Sequence, residues 1–272
     1  MLKCFLEALK VQGRSEKTIE RYRYILERML KAVGVPTRRV NVYHLRTYIA
    51  AEKARGIKDA TLESNRQIYS SYFGWLQREG LIEKNPIANM GVIKVPKKEK
   101  QTFTDVDLDN LKNACKCARD RAIVMFLAAT GCRISEVVAL NRSDIDFVNL
   151  RCVVHGKGNK ERMAFFDNVT AVALQRYLAE RHDFLPELFS GKRGRLSADG
   201  VRSMLNDLAD RAGVEHVHPH KFRRTFATEL ARHGMPIQRI MAVLGHESID
   251  TTMGYVVQNV NEVDNDYRRY AM

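Results

Sequence analysis

Apolar residues recur at helical spacing through the first 80 positions of the chain. Residues 1–12 carry a short amphipathic pattern that stops at Gly13. From Ser15 to Lys31, Ile19, Tyr22, Ile25, Leu26, Met29 and Leu30 fall three or four residues apart, and Gly34 and Pro36 end the run. Residues 41–55 give a third helix, closed by Gly56. Residues 59–79 give a fourth, with Ile68, Tyr72, Trp75 and Leu76 on one stripe and Gly80 as its stop. Four helices in about 90 residues, with no strand pattern among them, predict a small all-α bundle.

The pattern then lapses. Asn85-Pro86 and the stretch VPKKEKQ hold almost no apolar content, so residues 1–92 read as one domain and 93–101 as a basic linker. Thr104 opens a second domain, 102–272, as an N-cap with acids in the first turn. Residues 105–117 and 120–129 read as helices. The run AIVMFLAA is apolar all round, which predicts a buried helix. Thr130-Gly131 breaks it, and Arg133 starts the next. Residues 150–155 and 160–166 are β-rich and separated by Gly156-Lys157-Gly158-Asn159, a hairpin signal. Residues 169–181 and 198–212 are further helices, joined through the basic loop GKRGR, which faces either an anion or water. Pro219 suits the first turn of another helix, Pro236 opens the last, and Gly245 closes it. The expected fold is mainly α with a small antiparallel β-sheet.

Composition sharpens this picture in two ways. Hydrophobic residues are 45% of the 272, enough for real cores. Net charge is +13, and residues 1–95 carry 18 Lys and Arg against 9 Asp and Glu. A polyanionic partner is expected, gripped chiefly by the first domain. Lys97, Lys98 and Lys100 are then either a solvated linker or a strap along a phosphate backbone; one segment can serve as both. The tyrosines and Trp75 of the bundle read as core, with base stacking the competing reading. No apolar run is long enough to span a membrane, and the N-terminus does not read as a signal peptide. Five scattered cysteines suit a reduced, cytoplasmic protein. Cys115-x-Cys117 is not a zinc pattern and reads as a small apolar pair on a helix.

The candidate chemistry sits near the C-terminus, in HPHKFRRTFATELARHGMPIQRIMAVLGHESIDTTMGYV. His220 and Arg223 stand three apart on a helical pattern and share a face. His246 follows Leu244-Gly245, and Tyr255 comes nine residues later. A guanidinium fork, two imidazoles and a phenol suffice to attack a phosphodiester without a metal. His218, His220 and His246 as a zinc site is disfavoured by the adjacent arginine. His-x-x-Arg, Leu-Gly-His and the later tyrosine resemble the tyrosine recombinases, the integrase and Xer-type family. Upstream, ATGCRISEVVAL supplies Arg133 and VVHGKGNKERMAFF supplies Lys157, in that family's order.

The resemblance implies a two-domain DNA clamp, with a helical core-binding domain of SAM-like type ahead of a catalytic domain. It implies site-specific recombination through a 3′-phosphotyrosyl intermediate and a Holliday junction, for integration, excision or resolution. Tyr255 would be the nucleophile. Arg133 and Arg223 would hold the phosphate oxygens where charge builds up. His220 would take the phenolic proton, since a tyrosine titrates near about 10. His246 would hydrogen-bond the phosphate. Lys157 would protonate the leaving 5′-oxygen, with Lys160 as its rival. Glu136, one turn from Arg133, either orients it or a histidine, or makes a surface pair. Lys160 and Arg162 join the three linker lysines as expected DNA contacts. Tyr267, Tyr270, His216 and His233 have no motif around them. No cofactor and no metal are implied. The expected partner is double-stranded DNA with inverted-repeat-like sites, bound by a homotetramer, with a second recombinase or accessory protein left open. The segment after Tyr255, with Val256, Val257, Val260 and Val263, would dock on a neighbouring protomer or on its own domain. The chain begins almost at the core-binding helices, without an arm-binding domain, which favours an Xer-like or transposon-type enzyme. A type IB topoisomerase and a non-catalytic DNA-binding regulator are the rival readings.

Overall fold

The computed structural model describes residues 1–96, 101–156, 161–191 and 194–245. Lys97, Lys98, Lys100, Lys157, Lys160, His246 and Tyr255 lie outside the described residues, as do Tyr267, Tyr270 and the segment 256–263. The chain divides into two compact units, Met1–Lys98 and Glu99–Met272.

The first unit is a bundle of α1 (Leu2–Val11), α2 (Glu16–Val33), α3 (Val42–Ala54) and α4 (Asp59–Arg78). Ser15 caps α2 by accepting from the Thr18 N–H, and Gly34 ends it in the left-handed conformation at φ 69°. The apolar stripes of these helices meet in one core that buries Phe5, Leu26, Met29, Leu45, Tyr69, Tyr72, Phe73 and Leu76. Phe5 lies 5.2 Å from the Tyr72 ring and 5.5 Å from Trp75, so these aromatics fill the bundle, as the competing stacking role does not require. Tyr24 and Tyr43, by contrast, are exposed. Glu52 is buried between Arg28 and Arg55, which neutralise it.

The second unit is built around α6 (Ala118–Thr130), whose Ala122–Leu127 run is buried on all sides. Against it pack α8 (Asn168–Ala179) and α10 (Pro219–Arg232). Around these lie α5 (Asp105–Asn113), α7 (Ile134–Ala139), α9 (Ala198–Ala212) and α11 (Ile237–Leu244). A three-stranded antiparallel sheet, ordered β1 (Ile145–Asp146), β2 (Arg151–His155) and β3 (Glu161–Phe165), covers one side. Its register pairs Val154 with Arg162 and Cys152 with Ala164. A two-residue hairpin, β4 (Ser190–Gly191) with β5 (Gly194–Arg195), completes the described strands.

Three details depart from the sequence reading. The helix expected over 105–117 ends at Asn113, and Cys117 is the extended residue that precedes α6. Asp120 in the first turn of α6 favours a fresh helix start there. The two cysteines therefore do not share a helix. In the GKRGR loop, Arg195 is exposed, but its guanidinium is anchored on the protein. Its Nη1 donates to the Val138, Ala139 and Leu140 carbonyls and its Nη2 to Asn141 Oδ1, closing the C-terminus of α7. All five cysteines are free. Among the described residues no helix is long and apolar enough to cross a membrane.

Candidate active site

Gly131 ends α6 at φ 56°, and the chain turns at once into α7 with Arg133 as its N-cap. A Cβ on Gly131 would lie 2.6 Å from the Phe226 ring, so the turn is packed as tightly as its backbone is unusual. Glu136, three residues on, closes the first turn of α7. Its Oε2 accepts from the Arg133 backbone N–H and its Oε1 from Arg133 Nη1, both at 2.8 Å. The carboxylate is 2% exposed, so the surface-pair reading of Glu136 gives way to a buried brace. Burial alone would raise its pKa. The Arg162 guanidinium and the bonds from Arg133 outweigh that and hold the carboxyl below its usual range.

The helix α10 begins with His218 at its N-cap, Nδ1 accepting from the Lys221 N–H, and with Pro219 in the first turn. His218 is thus a cap. Lys221 is buried, donating to the Glu215 carbonyl and lying 4.3 Å from the centre of the Phe103 ring. Thr225 accepts from the Phe103 N–H, fastening α10 to the start of the domain. On the other side of α10, Arg223 is 2% exposed and reaches the Gly131 carbonyl through Nη1 at 2.9 Å and the Leu244 carbonyl through Nη2 at 2.6 Å. His220 opens toward solvent at one edge. Partial burial, then the nearby Arg223 and Arg133 charges, lower its pKa, which favours the neutral imidazole.

These elements converge on the end of α11. Gly245 closes that helix at φ 65°. Arg162 Nη1 donates to the Val243 carbonyl at 2.5 Å, Arg223 to Leu244, and Arg133 Nη2 to Gly245 at 3.0 Å. Three guanidiniums from β3, α10 and the start of α7 therefore take three successive carbonyls that the helix itself leaves unsatisfied. His246 is the next residue in the chain. Arg133, whose side chain is one-third exposed, keeps further N–H donors for an incoming anion.

The structure thus gathers Arg133, Arg223, His220 and Glu136. It also relocates Arg162, expected on the DNA surface. Its side chain is 11% exposed and turned inward onto Glu136 Oε2 at 2.8 Å. Strand parity carried that signal. Arg162, Ala164 and Phe166 alternate along one face, and Ala164 and Phe166 are buried.

Comparison with known proteins identifies the family and the fold. The description "Phage integrase family" matches residues 101–262, and "Phage integrase, N-terminal SAM-like domain" matches residues 2–80. The tyrosine recombinase XerC of Chromobacterium violaceum is 34% identical over 263 residues, covering 92% of this chain and 87% of that one. The XerC of Oceanobacillus iheyensis is 31% identical over 271 residues, covering 92% and 89%. Among solved structures, XerA recombinase is 25% identical with a TM-score of 0.57, covering 99% of this chain and 97% of that one. The Tn1549 transposon integrase in complex with a circular intermediate DNA is 18% identical with a TM-score of 0.79, covering 98% of each, a likeness of fold. By motif order, by fold and by these relatives, the chain belongs to the phage integrase family, the tyrosine recombinases, enzymes that cleave and religate DNA strands.

Proposed function

We propose that this chain is a site-specific DNA recombinase of Xer or transposon-integrase type, acting on double-stranded DNA in the cytoplasm. The observation that carries the reading is the convergence of Arg133 and Arg223 at the end of α11, directly before His246, with His220 close enough to feel both charges. In this reading the unit Met1–Lys98 grips the duplex and the unit Glu99–Met272 performs the chemistry, with Lys97, Lys98 and Lys100 between them on the phosphate backbone. Four protomers on two inverted-repeat-like sites exchange strands in pairs through a Holliday junction. The relatives that match over nine-tenths of the chain favour this over DNA relaxation by a topoisomerase and over a non-catalytic regulator.

The chemistry follows from charge. The Tyr255 phenol loses its proton to neutral His220 as its oxygen bonds to phosphorus. The bond to the 5′-oxygen breaks, and that oxygen takes a proton from Lys157. Negative charge on the non-bridging oxygens grows along this path. Arg133 and Arg223 act there as pre-placed donors, with His246 as a third. Religation reverses each transfer, so no external energy source enters. The test is a nicked suicide duplex incubated with the protein in a chelator. A covalent protein–DNA adduct is expected, and Tyr255→Phe should abolish it. An adduct that survives in Tyr255→Phe would reassign the nucleophile.

A further inference from the structure

Arg162 is not among the groups assigned above to the phosphate, yet it bonds to the same carboxylate and the same helix end as Arg133. It sits on β3 opposite Val154, which is fully buried, so strand geometry points both inward. From there it reaches two helices and the turn ahead of one of them. Nη2 meets Glu136 Oε2 on α7 and the Cys132 sulfur ahead of it, and Nη1 meets the Val243 carbonyl of α11. Glu136 passes the connection on, because its other oxygen holds Arg133 Nη1. The aliphatic stem also fills the space beside Gly245. A Cβ there would lie 2.8 Å from Arg162 Cδ.

We propose that Arg162 is a positioning residue for strand cleavage, fixing the Arg133 guanidinium through Glu136 and the end of α11 through Val243. This rests on the recombinase reading above and adds a residue to it. The physical reason is charge balance in a closed space. Glu136 is enclosed, and Arg162 is the charge beside it that does not have to face DNA. Without that charge, Glu136 either takes up a proton and releases Arg133, or draws Arg133 more tightly inward. Either change moves a phosphate donor, and displacements near 1 Å are costly to a reaction set by alignment. The loss should therefore fall on the chemical step and spare duplex binding.

The experiment compares the full-length parent, Arg162→Gln, Glu136→Gln and the double variant on the nicked suicide duplex at saturating protein. It reads the single-turnover rate of adduct formation, its amplitude and the duplex Kd. Expected for Arg162→Gln is a rate lower by about 10–100-fold, with Kd within about twofold and an unchanged salt slope of binding. The double variant should be no slower than the slower single variant, because both act through one brace. In Arg162→Gln the rate should fall more steeply on the acid side, below the His220 titration, since Glu136 then protonates more readily and adds a second acid group to the profile. Arg162→Lys keeps the charge with fewer donors and should recover part of the rate; it also serves if Arg162→Gln does not fold. A reduced amplitude at the parental rate would mean a merely structural role and would overturn the proposal. So would a weakened Kd with a shallower salt slope, the mark of a phosphate contact. If the parent forms no adduct, the recombinase reading itself fails. If the parent forms it and Arg162→Gln and Arg162→Lys match its rate, only the role of Arg162 is lost.

Discussion

At the scale of single residues, the site is governed by which charges are enclosed and which face water. His220 has its pKa lowered first by partial burial and then by the Arg223 and Arg133 charges. An unfolded histidine titrates near about 6.5. The neutral base therefore persists to lower pH in the folded protein than in a free imidazole. The acid limb of adduct formation should lie below about pH 6.5, and an NMR titration of the His220 ring should give the same midpoint. The sign for stability follows. The unfolded chain takes up this proton first, so stability falls as pH drops below about 6.5 through the folded value. An acid limb that does not follow the titration of the ring would remove His220 as the base.

At the scale of elements, helix ends decide most of the architecture. Gly245 is left-handed at φ 65° and lies against Arg162. Gly245→Ala should cost about 1–3 kcal/mol, from backbone strain and the displaced arginine, and should depress adduct formation together with the urea midpoint. Arg195 closes α7 through three carbonyls. Because the residue is exposed, Arg195→Ala should cost only about 1 kcal/mol, read as a small shift in the urea midpoint with duplex affinity unchanged; a clear loss of affinity would return Arg195 to the DNA surface. These two arginines also show where the sequence stopped being legible. Apolar spacing gave the four helices of the bundle, the enclosed α6 and the hairpin strands, because burial imposes a period on side chains. The Thr-Gly, His-x-x-Arg and Leu-Gly-His motifs led to Arg133 and Arg223, which meet at α11, and to His220 near their charges. Arg162 and Arg195 were read from their charge as facing an anion or solvent. In the fold, peptide carbonyls at two helix termini claim them instead, and that competition depends on tertiary proximity between residues 81 and 55 to 57 positions apart. The end of α5 at Asn113 and the two-residue strands likewise lack a period long enough to read. Lys157, His246 and Tyr255 remain assigned by motif.

At the scale of the whole molecule, charge is the dominant long-range property. The chain carries +13, concentrated in the first unit, while several arginines of the second unit are engaged internally. Duplex affinity should fall by about a thousandfold between 50 and 200 mM salt if some six phosphates are neutralised. The slope of a fluorescence-anisotropy titration against log salt measures that number, and a flat response would mean that binding does not run through the backbone. The socket that Arg162, Arg223 and Arg133 form around Val243, Leu244 and Gly245 adds one more consequence. Guanidiniums that already grasp amide oxygens have left much of their hydration shell behind when the chain folded. Arg133, held by the Gly245 carbonyl and keeping further donors, then meets an arriving phosphate with part of its water already gone, so the solvent reorganisation demanded of each encounter with DNA is small.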